Sequence, residues 1–98
     1  MATKKLNIET MTINGQEIGL VSGTIYLTAA GLRSWRASIR IGTPGLALDL
    51  VDAVLQIVAT TPEGEARGSA IAEKITEGTS GTTAELVGTG RLEGVQYP

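Results

Sequence analysis

From Trp35 to Ile41 the chain alternates without a break between apolar and polar residues. Trp35, Ala37, Ile39 and Ile41 take one phase, while Arg36, Ser38 and Arg40, with Ser34 just before them, take the other. Successive side chains of a strand point to opposite faces, so this stretch predicts a strand with one oily face and one wet, basic face. It also holds the only tryptophan. We place it at the centre of a sheet, with Trp35, Ile39 and Ile41 as core anchors.

The segments around it follow the same logic. Met1–Lys5 is polar and reads as a flexible N-terminal arm, leaving residues 6–98 as a single β domain. In Leu6–Ile13, Leu6 and Ile8 share one phase and Met11 and Ile13 the other, which predicts a bulge near Glu9–Thr10. Asn14-Gly15 then predicts a tight hairpin, because both central residues of a type I′ turn need positive φ. Gln16–Val21 returns as a strand with Ile18 and Leu20 inward. Ser22-Gly23 breaks it, and Thr24–Thr28 continues. Ala29-Ala30-Gly31 turns into the central strand, and Pro44 ends that strand because it cannot donate to a ladder.

Leu46–Ala59 fits two periods. Leu46, Leu48 and Leu50 alternate like a strand, while Leu46, Leu50, Ala53 and Ile57 also fit a helix. The reading adopted is two short strands bent at Asp52, with a short helix within 46–58 as the alternative. Thr61-Pro62-Glu63-Gly64 is a turn. Glu65–Glu77 is a strand with Ile71 and Ile75 in one phase and Ala70 and Ala72 in the other; a helix over 70–77 is the alternative, since Ala, Glu and Lys favour one. Gly78–Gly81 forms a hairpin tip, Thr82–Val87 returns with Ala84 and Leu86 in phase, and Leu92 points inward near the close. Short strands punctuated by turns, about seven in all, predict an all-β fold: a compact antiparallel β-sandwich or barrel.

Composition narrows the function. The 98 residues make one domain with a thin core, since Phe is absent and the aromatics are Tyr26, Trp35 and Tyr97. A net charge of −2 with interspersed signs argues against a nucleic-acid partner. No run approaches the ~20 apolar residues of a membrane helix. Leu6-Asn-Ile-Glu-Thr, after Lys4 and Lys5, is too polar for the apolar core of a signal peptide.

His and Cys are both absent. No imidazole base or thiolate nucleophile exists, and a Ser-His-Asp triad is impossible. We therefore expect a non-enzymatic protein with no catalytic residue, cofactor or metal. The pairs Asp49/Asp52 and Glu63/Glu65 offer too few oxygens for a hard cation. Gly88-Thr-Gly90-Arg-Leu-Glu-Gly94 lacks the spacing of a dinucleotide loop and reads as a strand bend where backbones approach closely. The polar feature left is the stripe Arg36 and Arg40, with Arg33 at its foot. It is either a solvated strand face or a contact face for an acidic partner or a neighbouring copy. Arg33, Arg36, Arg40, Asp49 and Asp52 are the candidate subunit-interface residues.

A small β domain exposes edges that template association, and a thin core completes its burial most readily against other chains. Three stretches carry a family resemblance: Leu6-Asn-Ile-Glu-Thr-Met-Thr-Ile-Asn-Gly-Gln-Glu-Ile-Gly, Trp35-Arg-Ala-Ser-Ile, and Thr83-Ala-Glu-Leu-Val-Gly-Thr-Gly-Arg-Leu-Glu-Gly94. Together with the Gly/Thr/Ala-rich composition, they resemble small virion proteins of tailed bacteriophages, of the tail-tube, tail-tip and baseplate kind. The resemblance implies a β-sandwich or barrel that assembles as a homo-oligomeric ring with other virion proteins. It also implies assembly in the host cytoplasm, with neither nucleic acid nor membrane as partner. The chain is short for a tail-tube subunit, which favours a tail-tip, connector or decoration role. A head decoration protein and a small ligand- or protein-binding module are the alternatives.

Overall fold

The computed structural model describes residues 3–28, 35–42, 53–78 and 81–97. Its strands are β1 (Thr3–Asn7), β2 (Thr10–Ile13), β3 (Gln16–Glu17), β4 (Leu20–Thr28), β5 (Trp35–Ile41), β6 (Val54–Thr61), β7 (Gly64–Gly78) and β8 (Gly81–Gly88). They form one sheet in the order β1-β4-β5-β8-β7-β6-β2-β3. Every pairing is antiparallel. The protein is all-β, and among the described residues no helix is long and apolar enough to cross a membrane.

The two ends of that strand order are joined by the chain itself. Ile8 N–H donates to Gly23 O on the β4 side, and the next residue, Glu9, donates to Thr60 O on the β6 side. β1 and β2 are thus one long strand with a kink, bonded first to β4 and then to β6. The ladder β1/β2–β4–β5–β8–β7–β6 runs in a closed circuit, which removes most of the edges an open sheet would carry. The kink lies at Ile8–Glu9, one residue before the Glu9–Thr10 position that the phase change between Leu6/Ile8 and Met11/Ile13 predicts.

Asn14 and Gly15 both take positive φ, 53° and 79°, as a type I′ turn requires. The returning strand is interrupted at Ile18-Gly19 and slips register between Leu20 and Ser22. β5 shows the full expected alternation: Trp35, Ala37, Ile39 and Ile41 are buried, while Arg36 and Arg40 are exposed. It lies between β4 and β8, deep in the sheet.

Two expectations are corrected and the helix alternatives are resolved. Thr3–Lys5 is not an arm: Thr3, Lys4 and Lys5 pair with Thr28, Leu27 and Tyr26. The Lys4 ammonium is held by the Glu63 carboxylate and donates to Gln96 O. Residues 54–58 and 70–77 are strand, as the adopted reading has it, and not the alternative helix, because each is claimed by ladders to its neighbours; Leu46–Asp52, with its expected bend, lies outside the described residues. Ile71 and Ile75 do not share a face. Ala66, Ala70 and Ala72 point inward and are fully buried, while Ile71 lies on the other face. A bulge between Ala72 and Lys74 then turns Ile75 onto the core. Small residues face inward here because Trp35 already fills that end of the interior.

The core is lined by residues from every strand but β3, with Trp35, Met11, Ile25, Leu27, Leu55 and Leu86 among its largest side chains. Beyond β8 the chain crosses one end of the barrel. Arg67 and Glu93 exchange backbone hydrogen bonds, and Leu92 is buried against Gly68. Tyr97 Oη accepts from Leu92 N–H at 2.8 Å, and the Arg91 guanidinium lies 4.3 Å from the Tyr97 ring centroid. This segment is the barrel's lid, latched to the other side of the molecule through the Lys4–Glu63 pair beside Gln96.

Candidate functional site

The ladder registers bring together an outer-face row that crosses the molecule. Lys5 stands opposite Tyr26, Tyr26 opposite Arg36, Arg36 opposite Val87, Val87 opposite Ile71, and Ile71 opposite Val54. Directly opposed residues point to the same side. Arg36 is exposed, so the whole row lies on the outside. One half is cationic and aromatic, with the Lys5 ammonium 5.8 Å from the Tyr26 ring centroid. The other half is apolar: Val54 is 59% exposed, Ile71 is half-buried, and Val87 is buried beneath its neighbours although it faces out. Large aliphatic side chains on the outside of a barrel, beside charged groups, are the usual make-up of a protein contact surface.

The arginine stripe borders this row. Arg36 makes a loose ion pair with Glu73 at 3.9 Å, and both side chains are more than half exposed. Such a pair contributes little to stability, roughly 0–1 kcal/mol, so it leaves both groups available to a partner. Arg40 sits four residues on, on the same face, and is itself engaged. Beside it lies a shallow depression of about 290 Å³ lined by Ser22, Thr24, Tyr26, Ser38, Arg40 and Thr83, among others. A second open depression of about 300 Å³, near the lid, is lined by Arg67, Ser69, Thr89 and Arg91, among others. Neither holds a nucleophile paired with a base.

Of the candidate interface residues, the structure places Arg36 and Arg40 together on one outer face; Arg33, Asp49 and Asp52 lie outside the described residues. The anchors Trp35, Ile39 and Ile41 are all buried at 1% exposure or less. Glu63 and Glu65 do not face each other as a pair. Glu63 joins Lys4, while Glu65 accepts from Arg67 Nε at 2.7 Å. The Lys4 ammonium holds the Glu63 carboxyl below its ordinary value of 4.5, chiefly by hydrogen bonding. Among the described residues no group of three acidic side chains converges to hold a metal.

Lys5, Tyr26, Val54, Ile71, Glu73 and Val87 escaped the sequence reading. Each belongs to this face through cross-strand register, which joins residues far apart in the chain. The exposed apolar Val54 next to a buried Leu55 was the available signal. Comparison of the chain with protein-family models, curated proteins and solved structures returned no match.

Proposed function

We propose that the protein is a non-enzymatic structural subunit of a tailed-phage virion. In this reading it builds a ring of the tail tip, baseplate or tail from copies of itself and contacts other virion proteins. The observation that carries this reading is the outer row, in which the outward-facing apolar residues Val54, Ile71 and Val87, of which Val54 is exposed, run into the cationic stretch Arg36–Tyr26–Lys5. A surface of this kind suits burial against another protein rather than turnover of a small molecule. The lack of His and Cys fits a role that needs no imidazole or thiolate. A head decoration protein would use the same surface against a capsid lattice.

Mass in solution tests the proposal. Light scattering after size exclusion, over a range of concentration and salt, is expected to show a discrete oligomer. A hexamer favours the tail and a trimer the head. A single copy at every concentration overturns self-assembly. It then favours a second reading, a small binding module, for which the depression beside Arg40 is the site. Trp35 offers no handle for a ligand there, since it is buried.

A further inference from the structure

The bulge in β4 shapes the depression beside Arg40. Leu20 pairs with Ile41 and Ser22 with Arg40, so Val21 is the extra residue on β4, and it stands 62% exposed. Bulges re-aim the side chains beside them and are common next to active sites. From this one the registers lay out a grid. Ser22 stands opposite Arg40, Thr24 opposite Ser38, and Arg40 opposite Thr83 on β8. Directly opposed residues share a face, and Arg40 is exposed. The hydroxyls of Ser22, Thr24, Ser38 and Thr83 therefore lie together on the outside, with the half-buried Tyr26 as one wall.

The two depressions differ in how their polar groups are used. Near the lid, Ser69 donates to Gln56 Oε1, Thr89 donates to Ser69 O, Arg67 donates to Glu65, and Arg91 lies over the Tyr97 ring. Beside Arg40, none of the four hydroxyls has a hydrogen-bond partner among the described residues. Arg40 is already engaged, so the hydroxyls are the groups left to meet a ligand.

We propose that this depression binds a neutral saccharide. Each hydroxyl donates one hydrogen bond and accepts others, and a sugar hydroxyl has the same capacity. The volume of about 290 Å³ lies at the small end of the range for small-molecule sites. Its walls are polar apart from the Tyr26 ring, and Ile39 is buried beneath them, which disfavours an apolar ligand. The charges around it disfavour an ionic one. Among the described residues, Lys5, Arg36 and Arg40 stand on the β1–β5 side, and Glu73 and Glu85 on the β7–β8 side, with Lys74 opposite Glu85. Glu85 is directly opposite Ser38. A carboxylate or phosphate laid over the hydroxyls meets that like charge, and an ammonium meets Arg40. The proposal rests on the binding-module reading for its site and does not depend on the number of copies.

Saturation-transfer NMR with the full chain tests it, because this observes the sugar and works for single copies and large assemblies alike. The probes are methyl glucoside, methyl galactoside, methyl mannoside and N-acetylglucosamine, with glucuronic acid and glucosamine as charged counterparts. The expected result is saturable transfer to at least one neutral sugar, with a Kd of about 1 mM or tighter. Thr24→Val and Ser38→Ala each remove one hydroxyl from the outer face. Each should weaken binding about three- to tenfold with an unchanged circular dichroism spectrum; Thr83→Val takes the place of either one that does not fold. Ser69→Ala, in the depression near the lid, should bind as the wild type does. No transfer to any neutral sugar overturns the proposal. So does binding that the hydroxyl variants leave intact, or that Ser69→Ala abolishes. Stronger binding of glucuronic acid or glucosamine overturns the choice of a neutral ligand. Light scattering reads the oligomer separately: a ring that binds no sugar overturns this proposal alone, whereas a single copy that binds one overturns self-assembly alone.

Discussion

Trp35 and Gly88 compete for one space. A Cβ on Gly88 would lie 2.2 Å from the Trp35 Nε1 and 2.4 Å from its Cδ1. Gly68, on the adjoining strand, lies against the far side of the indole, where a Cβ would come within 3.2 Å of Cζ2. The two glycines form a slot, and the largest side chain of the core fills it. The indole N–H has no partner there among the described residues, so shape and apolar burial hold the ring in place.

This shared space predicts a non-additive pair. Trp35→Ala should cost about 3–5 kcal/mol, as for other large buried aromatics. Gly88→Ala should cost about 1–3 kcal/mol from overpacking. With the indole gone, the added methyl meets no obstacle, so the double variant should be more stable than the sum of the two implies. Urea unfolding midpoints of the four proteins check this. Strict additivity would show that the two residues do not compete.

The lid depends on Gly94. Its φ is +89°, and a Cβ would lie 2.0 Å from Glu65 O, a backbone atom that cannot move aside alone. Gly94→Ala should therefore loosen the segment, at about 1–3 kcal/mol of strain. Hydrogen exchange at the Arg67 and Glu93 amides, which bond each other's carbonyls, should accelerate, with Ile25 and Ile39 amides changing least.

Acid should loosen the same latch. The folded-state pKa of Glu63 is lowered, mainly by the Lys4 ammonium. A lowered carboxyl contributes stability that is fully present above its unfolded value and is lost as pH falls through the folded one. Stability should thus decline on acidification below the ordinary glutamate value of 4.5. Glu63→Gln should be less stable than the wild type at neutral pH and should lose less on acidification. Thermal melts of the two proteins between neutral and acidic pH should converge; parallel curves would remove Glu63 from the latch.

The arginine stripe can be reversed without touching the core. Arg36 and Arg40 both lie on the exposed side of β5, so Arg36→Glu with Arg40→Glu should leave the monomer folded while impairing assembly. Circular dichroism reads the first and light scattering the second. Normal assembly of this variant would exclude the stripe from the interface.

Local periodicity revealed the strands whose neighbours demand strict alternation. β5 alternates visibly because both of its flanks are paired along its length. The Asn14-Gly15 turn was equally legible, since only a few residues tolerate its backbone. On β7 the opposition of Ile71 to Ala70 and Ala72 was legible, but the shared phase of Ile71 and Ile75 fails because the bulge between Ala72 and Lys74 reverses the phase midway. The outer row was illegible for a deeper reason: Lys5, Tyr26, Arg36, Val87, Ile71 and Val54 meet only through registers between strands distant in sequence. The stripe Arg36/Arg40 was visible because its members share a strand.

The kink at Ile8–Glu9 also imposes an order of events on the chain as it folds. Thr3–Asn7 finds its partner β4 in the adjoining hairpin, but Thr10–Ile13 must wait for Ile57–Thr60. Trp35 is sealed later still, when Leu92 arrives over Gly68. Contacts of such long sequence separation slow the search for the native state. During synthesis the early hairpin emerges with one flank open and its tryptophan uncovered, so the interval before closure is when this protein is most exposed to misassociation.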